Sequence, residues 1–164
     1  MKSSISNLSI SLFLLLFLFV IQSCGNKPEE VVTKYVSGEV SRKHTEVNGL
    51  KEGKMTEYFK DGKVKAEMEF KNDLQVGRTV IYYPSGKIRQ VQYYEDGQLH
   101  GADTMFYENG KPEFLRTFSK GLKDGYLRKW NENDSLIYEA KFDADTLIEV
   151  KGEVLYPDTL SGKK

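Results

Sequence analysis

Side chains that could take part in catalysis are few in this sequence, and they do not converge. The two histidines, His44 and His100, have no second His or Cys at the spacing of a metal-ligand pair. Neither a Gly-x-Ser-x-Gly motif nor a strand-to-helix phosphate loop occurs. Glu67 and Glu69 would share one face of a strand, but such pairs usually form a solvated surface. The sequence therefore predicts no catalytic residue, no metal site, no cofactor and no enzyme.

Cys24 is the one residue whose surroundings point to a defined reaction, and it is the only cysteine in the chain. It follows an N-terminal lysine, a polar stretch and an apolar run of ten residues, Leu12 to Ile21. This order is typical of a secretory signal, and the run is too short to span a bilayer, which takes about 20 residues. Residues 1–23 are therefore predicted to be a signal peptide.

The residues Ile21-Gln22-Ser23-Cys24 resemble the lipobox of bacterial lipoproteins, although Gln22 departs from the motif at a loosely specified position. The resemblance implies diacylation of the Cys24 thiol, cleavage before it and acylation of the new amine. A thiolate is the nucleophile that thioether formation needs, and two or more acyl chains make an anchor stable. An ordinary buried cysteine and an uncleaved membrane anchor are the alternatives.

The residues after Cys24 bear on its address. Gly25 stands where an Asp would favour retention in the inner membrane of lipoproteins, so we expect an outer-membrane protein of the bacterial cell envelope. The charged residues Lys27, Glu29 and Glu30 resemble, weakly, the export tags of Bacteroidota surface lipoproteins. The periplasmic side and the cell surface both stay open.

Charge and composition limit the classes of partner. Lys plus Arg and Asp plus Glu both number 24 and are interleaved, so the chain lacks the basic footprint of a nucleic-acid-binding protein. Ten Tyr and nine Phe with only four Pro favour a folded β-rich domain over a disordered stalk. The 141 residues after the predicted cleavage site suffice for one domain.

From Gly38 onward the chain aligns without gaps in lines of 24 residues, a period typical of repeat architectures. We number the positions of each line from 1 to 24. A lipidated cysteine and tether (24–37) precede the repeats, and a polar tail (158–164) follows them. The five predicted repeats are 38–61, 62–85, 86–109, 110–133 and 134–157.

Each repeat contains two turn signals, such as Asn48-Gly49 and Asp61-Gly62, separated by runs rich in Val, Ile, Thr, Tyr and Phe. Asn-Gly and Asp-Gly supply the positive φ of a two-residue hairpin turn. The predicted fold class is all-β, an elongated antiparallel meander of about five tandem β-hairpins. The turns between repeats are predicted to contain two residues, at positions 24 and 1.

This register places the glycine at position 16 opposite the aromatic residue at position 9 of the next repeat. An aromatic ring over a cross-strand glycine covers bare backbone and fixes register. In the alternative interpretation the glycines permit β-bulges, and both interpretations can hold. The predicted pairs are Gly53–Phe70, Gly77–Tyr94, Gly101–Phe118 and Gly125–Phe142.

Aromatic residues are predicted on both faces of the sheet. Positions 3, 9 and 22 share one face, and position 21 lies on the other. A row of exposed rings at position 21 would form a binding surface, whereas in the alternative the rings pack on neighbouring aliphatic stems. The row comprises Tyr58, Tyr82, Phe106 and Trp130.

The pattern resembles the bacterial variant of the MORN repeat, most clearly in Gly86-Lys87-Ile88, Tyr94, Asp96–Gly101, Phe106-Tyr107 and Asn109–Lys111. The resemblance covers Gly38 to about Pro157 and implies elongated hairpin arrays used for interaction and scaffolding. Some such proteins are antitoxins, which act in the cytoplasm and so conflict with an export signal.

We therefore expect a membrane-anchored interaction or scaffold module without a small-molecule substrate or a nucleic-acid partner. Its partners are expected to be the membrane, through the lipid anchor, and an unknown protein or envelope polymer. A carbohydrate-binding lipoprotein and an antitoxin or immunity-type protein are the alternatives.

Overall fold

A computed structural model of the chain describes residues 27–152, which form twelve β-strands in one antiparallel sheet and contain no helix. The strands are β1 (Glu29–Lys34), β2 (Val40–Val47), β3 (Leu50–Tyr58), β4 (Val64–Lys71), β5 (Leu74–Tyr82), β6 (Ile88–Glu95), β7 (Gln98–Leu99), β8 (Gly101–Phe106), β9 (Pro112–Ser119), β10 (Leu122–Trp130), β11 (Leu136–Asp143) and β12 (Thr146–Gly152).

Strands that follow each other along the chain also lie next to each other in the sheet, with β7 and β8 both beside β6. The predicted meander of hairpins is confirmed. The predicted signal peptide, Cys24, the end of the fifth repeat and the polar tail lie outside the described residues.

Strand β1 overturns part of the predicted tether. The tether was expected to run through residue 37, but Glu29–Lys34 pairs antiparallel with β2. The loop after β1 makes the same two backbone hydrogen bonds as the loops between repeats, from Tyr35 and Gly38. The array therefore begins with the second strand of a half repeat, which the sequence alignment missed because its first strand is absent.

The turns within repeats have the predicted two residues. Asn48 and Gly49 have φ angles of 55° and 74° between the paired residues Val47 and Leu50. Positive φ at both positions is the geometry whose twist matches that of the flanking strands. The fifth repeat reaches it without glycine, at Ala144 (43°) and Asp145 (65°).

The loops between repeats differ from the prediction of two residues. The amide of Phe59 donates to the carbonyl of Lys63 (2.8 Å), and the amide of Gly62 donates to the carbonyl of Phe59 (3.0 Å). Three residues, 60–62, therefore form the loop, and Gly62 has a φ of 83°. This is a type I turn followed by a left-handed residue, which explains glycine at position 1.

A β-bulge next to the loop restores the predicted register. Glu57 lies opposite Ala66, and Tyr58 lies opposite Val64, so Lys65 is an extra residue on β4. Because the extra residue offsets the longer loop, the pairs farther along the strands match those expected for a two-residue turn.

Burial is concentrated on one face of the sheet, which we call the core face. It carries positions 5, 7, 9, 16 and 18, and the opposite face carries positions 6, 8, 17, 19 and 21, as the strand pairing shows. Val80 is buried on the opposite face. The other buried residues lie on the core face: His44, Met55, Ala66, Thr79, Gln90, Asp103 and Ala140.

Hydrogen bonds between repeats continue past the strands at both ends of the hairpins. At the turn end, the second turn residue donates its amide to the carbonyl at position 14 of the preceding repeat, as in Gly97 to Gln75 (2.9 Å). At the loop end, the hydroxyl at position 22 donates to the carbonyl at position 21 of the next repeat. This rung joins Tyr35 to Tyr58, Tyr83 to Phe106, and Tyr107 to Trp130, at 2.6–2.8 Å.

Phe59 occupies position 22 in the array without a hydroxyl, so the rung to Tyr82 is missing. We expect Phe59→Tyr to donate to the carbonyl of Tyr82 and raise the free energy of unfolding by about 0.5–1.5 kcal/mol. Tyr83→Phe, which removes an existing rung, should lower it by a similar amount. Urea unfolding followed by circular dichroism measures both changes, and a loss of stability in Phe59→Tyr would contradict the proposed ladder.

Candidate functional site

The glycine and aromatic columns meet as the predicted register requires. Gly53 lies directly opposite Phe70, Gly77 opposite Tyr94, Gly101 opposite Phe118, and Gly125 opposite Phe142. These pairs lie on the core face and join each repeat to the next.

Backbone conformation, more than ring shielding, accounts for glycine at position 16. Gly53 has a φ of 75° and Gly77 a φ of 65°, a region that favours glycine. A Cβ added at Gly53 would meet nothing within 4 Å, and at Gly77 it would approach the carboxylate of Glu69 rather than the paired ring.

The same glycines begin a bulge within their own hairpin. Between the pairs Glu67–Val80 and Glu69–Val76, one residue of β4 faces three residues of β5. The glycine strand thus carries two extra residues, which bends it and increases the local twist. The bulge interpretation and the predicted register therefore both hold.

The fifth repeat shows what happens without this glycine. Glu149 replaces it, and β12 has a single extra residue, Ile148, between the pairs Phe142–Leu147 and Lys141–Glu149. Position 17 rather than 18 then faces the core-face residue Ala140, so the faces of β12 are exchanged relative to earlier repeats. A residue with a Cβ at this position therefore accompanies a smaller bulge.

The aromatic row at position 21 lies on the opposite face, as predicted, but its rings are half-buried rather than exposed. All four have intermediate exposure: Tyr58, Tyr82, Phe106 and Trp130. The hydroxyl of Tyr82 donates to Glu67 Oε2 (2.9 Å), so this ring is also held by a hydrogen bond.

The most exposed aromatic side chains of the opposite face were missed by the sequence analysis. Tyr93 is 42% exposed and Tyr126 is 38% exposed. They occupy positions 8 and 17, outside the repeated columns, where a bulky ring pairs with Arg78 or Lys141 across the strands. The guanidinium of Arg128 lies 4.4 Å from the centre of the Tyr126 ring. An aromatic residue at an otherwise polar position was the signal that could have found them.

The chemistry of Glu67 differs from that of a general acid. Lys54 Nζ lies 2.5 Å from Glu67 Oε1, and with Tyr82 it lowers the pKa of this carboxyl below its usual range. An ionised carboxylate with two donors is a poor proton source at neutral pH. The two histidines lie apart in the fold, each beside a glutamate of its own hairpin, at Glu46 and Glu95.

A buried polar cluster crosses three adjacent strands of the core face. Asp103, which is 1% exposed, accepts a hydrogen bond from Gln90 Nε2 (2.7 Å) and pairs with Arg116 Nη2. Burial and the nearby charge of Asp103 raise the pKa of Tyr94. The sequence analysis missed this cluster, although an aspartate at position 18 departs from the apolar or neutral residues found there in other repeats.

The concave features of the described residues are shallow. A depression of about 290 Å³ on the core face is lined by residues that include Met68, Thr79, Gln92 and Tyr94. Within residues 27–152, no three His, Cys, Asp or Glu side chains are arranged to hold a metal ion. The same part of the chain has no helix that is long and apolar enough to cross a membrane.

Comparison with known families identifies the class of repeat. The MORN repeat variant matches three segments, residues 51–72, 75–96 and 99–120, which recur every 24 residues. Each segment comprises the second strand of one predicted repeat, the loop and the first strand of the next. The chain is thus a repeat protein with three MORN-variant repeats, a class that suggests a repeat-based interaction module. No curated protein matches it.

Asp103→Asn should lower the free energy of unfolding by about 1–3 kcal/mol, because it leaves Arg116 facing a neutral group in a largely buried site. Chemical unfolding measures this loss. Asp124→Asn, at an exposed position of β10, is the matched control and should stay within about 0.5 kcal/mol of the parent. Equal losses in the two variants would show that the buried cluster contributes nothing specific.

Tyr82→Phe should raise the pKa of Glu67, because the variant loses one of the two donors that stabilise its carboxylate. The ionised Glu67 stabilises the fold above its unfolded-state pKa, and this contribution is lost as the pH falls through the lower folded-state pKa. The variant should therefore be less stable than the parent near neutral pH, with the difference shrinking in acid. An NMR titration of the Glu67 carboxyl carbon measures the shift, with Tyr126→Phe as a control that leaves it unchanged.

Proposed function

We propose that this chain is a lipid-anchored, non-enzymatic interaction module of the bacterial cell envelope. The observation that carries the proposal is the regular sheet itself. It presents equivalent surface every 24 residues, and its described concave features are shallow. Such a surface suits an extended partner, a protein or an envelope polymer, better than a small molecule.

The anchor is proposed from the lipobox-like residues that end in Cys24. Glu29, the first residue of the sheet, follows Cys24 by only five positions. An acylated Cys24 would therefore hold the β1 edge of the sheet close to the membrane surface. Gly25, in place of an Asp, supports an outer-membrane address.

The opposite face is the proposed contact surface. It combines the exposed rings of Tyr93 and Tyr126 with alternating charges, including Lys54, Glu67 and Arg128. Exposed tyrosines are well suited to protein contacts, because each ring offers a large area at a low cost in conformational entropy.

Wild-type protein should incorporate labelled palmitate and sediment with membranes, whereas Cys24→Ser should do neither, because only the thiol can accept the acyl chains through a thioether. Metabolic labelling followed by fractionation of the membranes measures both properties. Membrane association without any label in the wild type would contradict the lipid anchor.

The contact surface is tested separately, by affinity capture of the tagged, full-length chain from its own membranes. The double variant Tyr93→Ala/Tyr126→Ala should lose partners that the parent retains. Leu122→Ala, an exposed residue beside a hairpin turn, is the matched control and should retain them. Loss in the control but not in the double variant would assign binding away from the opposite face.

A further inference from the structure

The two outer strands of the sheet are of the same kind. Strands β1 and β12 are both second strands of a repeat, so the path of eleven strands begins and ends with chains that run in the same direction. Among residues 27–152, no strand pairs with the outer edge of β12. A copy placed by translation would bring β1 and β12 together as parallel neighbours and break the antiparallel pattern.

The side chains of β12 are unusually apolar for an outer strand. Leu147 is 52% exposed, Ile148 57% and Val150 37%. Proteins generally protect free sheet edges with charged residues, short strands or bulges, because unpaired backbone groups recruit other strands. Strand β1 fits that rule better, since Glu29 and Glu30 begin it and Lys34 ends it.

We propose that the β12 edge binds the β12 edge of a second copy of this chain. The two strands pair antiparallel about a twofold axis that passes through Val150. This arrangement is closed, because each copy uses the same edge and neither leaves it free for a third.

Charge complementarity selects this register. With Val150 on the axis, Glu149 of each copy lies opposite Lys151 of the other, which gives two favourable cross-strand pairs. Moving the axis by one residue, to Glu149, would place the two Glu149 carboxylates directly opposite each other, and like charges in that position are destabilising.

The proposed pairs extend a charge pattern that already exists within one copy. Lys141 of β11 lies opposite Glu149, and Glu139 lies opposite Lys151. Across the interface the rows then read Lys141, Glu149, Lys151 and Glu139, with alternating sign. On the other face, Val150 pairs with the buried Ala140, so the apolar row would continue through the axis.

The dimer would place the two β1 edges at the outer ends of one continuous sheet. Neighbouring strands are about 4.8 Å apart, so two sheets of this size extend up to about 100 Å. If the proposed lipid anchor holds, two anchors would stand at these ends. The pairing itself does not depend on the anchor, and its test does not use lipidation.

Disulfide trapping of the full-length chain in its membranes tests the pairing. Val150→Cys brings two thiols together on the axis, at a Cα separation that antiparallel pairs share with disulfides. Mild oxidation should convert most of this variant to a dimer on a non-reducing gel, at least about fivefold above wild type. Val32→Cys, an exposed residue of β1, is the matched control and should stay at the wild-type level.

Charge variants made in the Val150→Cys background separate contact between copies from an effect within one copy. Glu149→Lys and Lys151→Glu should each reduce cross-linking severalfold when expressed alone, because each places like charges opposite each other. Co-expressed with tags of different size, the two variants should form mixed dimers preferentially, since every facing pair is then of opposite charge.

Three outcomes would overturn the proposal. Val150→Cys could remain monomeric, as it would if residues 153–164 or another protein occupied the edge. Val32→Cys could cross-link as efficiently as Val150→Cys. The co-expressed charge variants could form mixed and identical dimers in random proportion, which would show that Glu149 and Lys151 do not face each other across an interface.

Discussion

The backbone hydrogen-bond ladder between successive strands is the interaction on which the rest of this structure depends. The described residues form a single sheet, so no second layer of secondary structure covers either face. Each strand must therefore find partners for its amide and carbonyl groups in its two neighbours. The ladder also extends past the strands, through the turn amides at one end and the tyrosine hydroxyls at the other. The lysine at position 2 adds a further bond at the loop end, as in Lys87 to the carbonyl of Glu108.

Glycine at two positions makes this ladder periodic. At position 1 it closes the three-residue loop, and at position 16 it begins the wide bulge of each hairpin. Both sites need a positive φ, which costs an L-residue with a Cβ more than it costs glycine. Strand β12 supports the link, because Glu149 at position 16 accompanies a bulge with one extra residue instead of two.

The buried polar cluster distinguishes repeats that are otherwise alike. Asp103 is satisfied only where Gln90 and Arg116 are its neighbours. A slip of the array by one repeat would place a residue of another type opposite it, such as Met68 or Ala140. Because an unpaired buried carboxylate is costly, the cluster opposes such a slip. The described fold thus offers a regular surface on the opposite face and a specific arrangement on the core face, which suits an interaction module.

Local chemistry was sufficient for the hairpins and their main register. Asn-Gly and Asp-Gly dipeptides need only their own backbone preferences to form two-residue turns, and the 24-residue spacing then places Gly53 opposite Phe70. The three-residue loops were missed because a compensating bulge at Lys65 leaves the distant pairs unchanged. Strand β1 was missed because half a repeat has no partner line in the alignment. The exposure of Tyr93, the half-burial of Tyr82 and the pairing of Asp103 with Arg116 required the tertiary structure, because each depends on side chains that bulges and neighbouring strands bring together from separate repeats.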